Sequence, residues 1–219
     1  MLLTVDQARY EPCRIFCVGM NYTAHIRELR NEIPESPVIF MKPATSLVEA
    51  GTVVRVPPHG KDLHYETEVV VLIGKESRPR TDAEARAAIA GVSLGLDLTL
   101  RDVQTALRKK GLPWEFSKAF EQSAPVTPFI PFGSGVDLGG LEFECRVNGE
   151  VRQRGHTKDM VFSIPALICS LARVWTLRPG DLLYTGTPEG VGSLKAGDRV
   201  EVAAPWLGQF AWEIGPVAA

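Results

Sequence analysis

The sequence predicts an α+β fold with more strand than helix, on three observations. Short apolar runs bounded by turn residues recur at Ile15–Gly19, Val38–Met41 and Thr52–Val56. Helix signals are few but well capped. The 16 prolines are scattered, and no repeat, low-complexity tract or Ser/Gly-rich linker divides the 219 residues. The reading is one domain over 1–219, with a short lead-in over 1–12.

The elements follow in order. Tyr65–Gly74 is a longer, valine-rich strand. Thr81-Asp82-Ala83-Glu84 has capping-box spacing and opens an alanine-rich helix to about Ala90. Val92–Leu100 reads as a strand. Arg101–Lys110 reads as a helix from the spacing of Val103, Ala106 and Leu107, with Gly111 as its stop. Asn148-Gly149 between strand-like flanks in Leu141–Arg154 signals a hairpin. Ser163 caps a helix to about Trp175, with Pro165 tolerated in its first turn. Asp181–Thr185, Arg199–Ala203 and Gln209–Ile214 are the closing strands. Tyr22–Pro37, carrying His25, Arg27, Glu28, Arg30, Glu32 and Glu35 with little apolar content, reads as a solvated surface helix or a mobile lid.

Composition excludes some functions. The net charge of 24 − 26 = −2 argues against nucleic-acid binding by bulk charge. No run approaches 18 apolar residues, so no membrane partner is expected. The start lacks a signal-peptide pattern, which makes the cytoplasm the expected location. Cys13, Cys17, Cys145 and Cys169 form no Cys-x-x-Cys pair and are expected to be buried, inert thiols.

Two anomalies carry the chemistry. In Tyr65-Glu66-Thr67-Glu68-Val69-Val70-Val71-Leu72-Ile73, strand alternation places Glu66 and Glu68 on one face of a run that looks buried. Two carboxylates at about 4 Å in an effective dielectric near 20 repel by roughly 4 kcal/mol. A shared proton, arginine partners or a metal ion must relieve this. Asp97 then stands inside another apolar run, Leu94-Gly95-Leu96-Asp97-Leu98-Thr99. Three converging carboxylates make a hard-oxygen site for a divalent cation, magnesium or manganese rather than zinc. The structural alternative is that Arg101 or Lys118 neutralises the acids directly. Arg101 and Gln104 share a face at a helix start, an arrangement suited to an anionic substrate beside a metal. Lys118 follows among aromatics, where a snorkelling lysine is the plain alternative.

A third cluster, Tyr184-Thr185-Gly186-Thr187-Pro188-Glu189-Gly190-Val191-Gly192, ends a strand in a turn whose N–H groups can approach a ligand. It is not a phosphate-binding loop of the Gly-Lys-Ser/Thr kind. Gly-x-Gly-x-x-Gly, His-Glu-x-x-His and Gly-x-Ser-x-Gly are absent.

Together these segments resemble the fumarylacetoacetate hydrolase family, especially its short acylpyruvase and oxaloacetate decarboxylase type. The resemblance runs from about Cys13 to Gly215. Its marks are Gly19-Met20-Asn21-Tyr22-Thr23-Ala24-His25, Phe40-Met41-Lys42-Pro43, His64-Tyr65-Glu66-Thr67-Glu68, the Gly95–Asp102 segment and Thr185–Gly192. The resemblance implies a mixed-β fold with short flanking helices, usually homodimeric, without the extra N-terminal domain of long members. It implies Mg²⁺ or Mn²⁺ on Glu66, Glu68 and Asp97. It also implies a catalytic His25–Glu28 dyad on a lid, Lys118 aimed at the substrate, and Arg101, Gln104 and Thr187 on substrate oxygens.

The activity so implied is hydrolysis of the C–C bond of acylpyruvates, through a metal-held pyruvate enolate. Oxaloacetate decarboxylation would be a side activity. The nearest alternative is an isomerase or decarboxylase of longer dienoates in aromatic breakdown, and a further one is a hydratase of sugar-derived 2-oxo acids. A non-catalytic oxo-acid sensor is the alternative from another class, separable by metal-dependent binding without turnover.

Overall fold

The computed structural model describes residues 1–28, 32–133 and 135–218. Two sheets dominate. Eight strands form a mixed sheet whose main path runs Val38–Pro43, Arg14–Gly19, Leu182–Tyr184, Thr67–Ile73, Ile89–Leu96, Ala124–Val126, Leu47–Glu49. Ile130–Pro131 adds to Ile89–Leu96. A second sheet of five runs Glu150–His156, Glu142–Val147, Arg199–Ala204, Gly208–Val217, Val53–Val56. The α+β expectation holds, with short helices flanking mixed sheets. Among the described residues no helix is long and apolar enough to cross a membrane.

The valine run sits at the centre of the larger sheet and is buried on both faces. Val69, Val71 and Ile73 enter the principal core, while Val70 and Leu72 enter a smaller one. Each fully buried valine is worth roughly 1.5–3 kcal/mol, so the strand can anchor charged residues at its end.

The two carboxylate-bearing strands are each interrupted at their acid. Tyr65–Gly74 was expected as one strand, yet Leu63–Tyr65 and Thr67–Ile73 belong to different sheets, with the change at Glu66. Val92–Leu100 likewise divides into Ile89–Leu96 and Thr99–Leu100, with the change at Asp97-Leu98. Thr99–Leu100, Leu63–Tyr65 and Gly192–Leu194 make a small third sheet. The Asp97 N–H donates to Glu66 O at 2.8 Å across this seam, and the Leu98 N–H donates to Ser123 O at 3.0 Å. Backbone pairing is thus satisfied while both side chains turn out of the ladder.

Other boundaries shift for local reasons. The Thr81 capping box forms, but its helix spans Asp82–Ala88, because Ile89 is drawn into the central sheet. Asn148 and Gly149 both take positive φ, 53° and 82°, as the hairpin requires. Ser163 caps Ile164–Val174 by accepting from the Ala166 N–H. The loosely held segment begins with a helix, Thr23–Glu28, that buries His25 and Ile26. This part is therefore not a solvated helix; residues 29–31, including Arg30, lie outside the described residues. Of the four cysteines, all free, Cys17 and Cys145 are buried, Cys169 is half-buried and Cys13 is exposed, so the expected burial fails for the last two.

Candidate metal and oxo-acid site

Glu66, Glu68 and Asp97 meet at the seam, each presenting an oxygen within 4.8 Å of the others. They are only 6%, 1% and 1% exposed. Three cations attend them. Lys118 Nζ donates to Glu66 Oε2 at 2.7 Å and to Asp97 Oδ2 at 2.6 Å. Arg101 donates to Glu66 Oε1 and, at 2.6 Å, to Gln104 Oε1. Lys42 Nζ lies 2.8 Å from Asp97 Oδ1 and donates to the Leu98 and Lys118 carbonyls. The direct neutralisation raised from the sequence is therefore present, with Lys42 as a third member.

The acids differ in proton affinity. Burial pushes the Glu66 carboxyl up, but Lys118 and Arg101 outweigh it and hold it well below the usual carboxylate range. Burial, then repulsion from Asp97 and Glu66, drives Glu68 well above that range, only partly opposed by the Gly186 N–H at 2.7 Å and Lys118. Burial disfavours the Lys118 ammonium, yet Asp97 and Glu66 raise it above its ordinary value. Without a further cation, these surroundings favour the protonated form of Glu68 and the charged form of Lys118.

His25 is buried, with Nδ1 3.0 Å from Glu28 Oε2, as their i, i+3 spacing implies. Glu28 Oε1 in turn accepts from the Gly190 N–H at 3.3 Å. A narrow cleft of about 40 Å³ brings His25, Glu66, Glu68, Arg101, Gln104, Lys118 and Thr187 together, walled by Phe40 and Trp114. Asp97 lies beneath, bonded to Lys118. A roomier groove on the five-stranded sheet, bounded by Phe143, Arg154 and His156, shares no residue with the cluster.

Thr187 lines the cleft, but its hydroxyl donates to Thr67 O at 3.0 Å, so its proton serves the scaffold. Gly186 has φ +98°, and a Cβ there would stand 2.7 Å from Asn21 Cβ. Only glycine turns the chain there while aiming its N–H at Glu68. Asn21 fixes this turn from below, donating to Thr185 O at 2.8 Å and accepting from the Phe162 N–H.

Lys42, Asn21 and Arg108 were not given roles from the sequence. Lys42 directly follows the apolar Val38-Ile39-Phe40-Met41 run, where a charge that ends a buried strand was a legible signal. Arg108 also lines the cleft, seven residues after Arg101 on the same helical face.

The Fumarylacetoacetate (FAA) hydrolase C-terminal model matches residues 14–214. The chain belongs to the fumarylacetoacetate hydrolase family. It is 44% identical over 187 residues to the mitochondrial oxaloacetate tautomerase FAHD1 of Bos taurus, covering 85% of each chain. It is 43% identical over 194 residues to the oxaloacetate tautomerase YcgM of Escherichia coli strain K12, covering 88% of this chain and 89% of that one. Among solved structures, fumarylpyruvate hydrolase from Pseudomonas aeruginosa in complex with Mn²⁺ and pyruvate superimposes with a TM-score of 0.92. That protein is 36% identical, over 99% of this chain and 96% of its own. This family membership, with relatives that are enzymes of oxo acids, supports an enzyme.

Proposed function

We propose that this family member is a Mg²⁺- or Mn²⁺-dependent enzyme that hydrolyses the C–C bond of acylpyruvates of the acetylpyruvate and fumarylpyruvate type. The supporting observation is a cleft lined by Glu66, Glu68 and His25, with Asp97 tied to it through Lys118 and Glu28 paired to the His25 ring. The residues fit a hard dication. All three donors are oxygens, and Asp97 Oδ1, though ion-paired to Lys42, lacks an aligned hydrogen bond. When bound, the ion supplies a Lewis acid for the 2-oxo carboxylate group.

The remaining chemistry belongs to the chain. His25 takes a proton from water, with Glu28 holding the ring and, through Gly190, the helix. The water oxygen bonds to the distal carbonyl carbon. The bond from that carbon to C3 breaks, and its electron pair stays with the pyruvate fragment, to be protonated at C3. Lys118 offers positive charge where the pyruvate oxygen becomes negative. Arg101 and Gln104 orient the carboxylate.

The curated relatives favour a second reading, keto–enol tautomerisation of oxaloacetate. It needs only removal of a C3 proton and its return to the keto oxygen, within reach of the same His25. The test is loss of enol absorbance for fumarylpyruvate, acetylpyruvate and oxaloacetate with Mg²⁺, then with excess chelator. Acylpyruvate turnover that chelator abolishes and Mg²⁺ restores supports the hydrolase. Metal-dependent turnover of oxaloacetate alone, without release of pyruvate, shifts the assignment to the tautomerase, and inertness toward all three sinks both.

Metal binding should also depend on pH. The ion requires the Glu68 carboxylate, whose proton burial retains. Raising the pH removes that competitor, so affinity should tighten by about tenfold per unit while Glu68 still holds its proton. Titration of Mn²⁺ across a pH series checks this; a Kd that tightens nowhere in the series would mean that no proton on Glu68 competes with the ion.

A further inference from the structure

We propose that Gln153 is a positioning residue that ties the carboxylate segment to the glycine-rich loop and so sets the affinity of the metal site. The proposal rests on the metal reading above. Gln153 stands in Glu150–His156, a strand of the five-stranded sheet rather than of the sheet that carries the carboxylates. It is 1% exposed.

Each of its three side-chain hydrogen bonds leaves its own sheet. Oε1 accepts from the Thr67 N–H at 3.0 Å, between Glu66 and Glu68. Nε2 donates to Thr187 Oγ1 at 2.8 Å and to Pro188 O at 2.9 Å. The Thr187 hydroxyl closes the ring by donating to Thr67 O. One amide therefore fixes the peptide between two candidate ligands and the loop whose Gly186 N–H holds Glu68. That loop's Gly190 N–H also holds Glu28.

The backbone is arranged to deliver this side chain. Opposite Cys145 and Arg146 the register slips, pairing Cys145 with Gln153 and Arg146 with Val151, so Arg152 is an extra residue. Alternation continues across the slip, with Gln153 and Gly155 turned inward and Arg152 and Arg154 outward. At the same point Gly190, with φ +88°, packs so close that a Cβ would lie 2.2 Å from Arg152 O. Hairpin and loop thus touch at both residues. An apolar side chain would fill this buried position without needing three partners, whereas a buried amide must satisfy its polar atoms. What the amide adds is the register between Thr67 and Thr187.

The test uses Gln153→Met, close in volume without the amide, and Gln153→Glu, which keeps the acceptor but turns a second oxygen on Thr187 and Pro188. Circular dichroism melts in chelator report folding, and free-Mn²⁺ resonance reports metal affinity. In folded variants Mn²⁺ binding should weaken by about 10–100-fold, and activity should recover toward wild type as Mn²⁺ is raised. A folded variant that binds Mn²⁺ within about twofold of wild type overturns the proposal. Should both variants fail to fold, hydrogen exchange on the wild type decides. Mn²⁺ should slow exchange in residues 150–156 as well as 185–190, and an unaffected hairpin overturns the idea. Wild-type protein that binds no Mn²⁺ removes the metal reading itself and this proposal with it, an outcome distinct from failure of the variants alone.

Discussion

Replacing Lys118 with methionine should destabilise the chelator-treated protein more than any other single change at the site. Its ammonium bridges Glu66 and Asp97 at 2.7 and 2.6 Å, and all three side chains are buried. The change removes two hydrogen bonds between buried charged groups, each worth about 1.5–3 kcal/mol, although Arg101 stays on Glu66 and Lys42 on Asp97. At roughly 2–4 °C per kcal/mol for a chain of this size, the melting temperature should fall by about 10 °C. Saturating Mn²⁺ should narrow that gap, because a dication can take over the compensation. Activity should fall by about 10²–10³-fold, the loss typical of a removed charge-stabilising donor. Thermal melts with chelator and with Mn²⁺ check this. An unchanged melting temperature in chelator would mean that Lys118 does not compensate these acids.

The second large effect separates the candidate reactions. His25→Ala should lower acylpyruvate hydrolysis by about 10²–10⁴-fold, the range for a positioned general base. Oxaloacetate tautomerisation should fall with it, since a proton must also leave C3. Decarboxylation of oxaloacetate needs no attacking water and no proton removed, so it should stay within about tenfold. Glu28→Gln should give a smaller loss, because the ring keeps its place while losing its charged partner. Equal losses for hydrolysis and decarboxylation on His25→Ala would count against this division of labour.

The site residues were legible to different degrees, for physical reasons. Glu66, Glu68 and Asp97 stood out because an acid in an apolar run breaks the ordinary burial rule. Lys42, directly after an apolar run, breaks it too. Gln153 did not stand out: a glutamine between Arg152 and Arg154 in a hairpin strand carries no local sign of burial, and its partners Thr67, Thr187 and Pro188 lie 34 or more positions away. The strand breaks at Glu66 and Asp97 were also hidden. The apolar pattern runs on through both, and the partners that divide them, Gly192–Leu194 and Ser123, lie far along the chain.

By itself the sequence determined that an α+β chain carries three acids it cannot bury without compensation, and a His–Glu pair spaced for one helical face. Those properties belong to residue type and local period. Only the tertiary structure decided how the acids are compensated. Lys118 reaches Glu66 across 52 positions and Lys42 reaches the Leu98 carbonyl beside Asp97 across 56. Which acid keeps its proton follows from that arrangement, because Coulomb energies are set by distance and burial rather than by order along the chain.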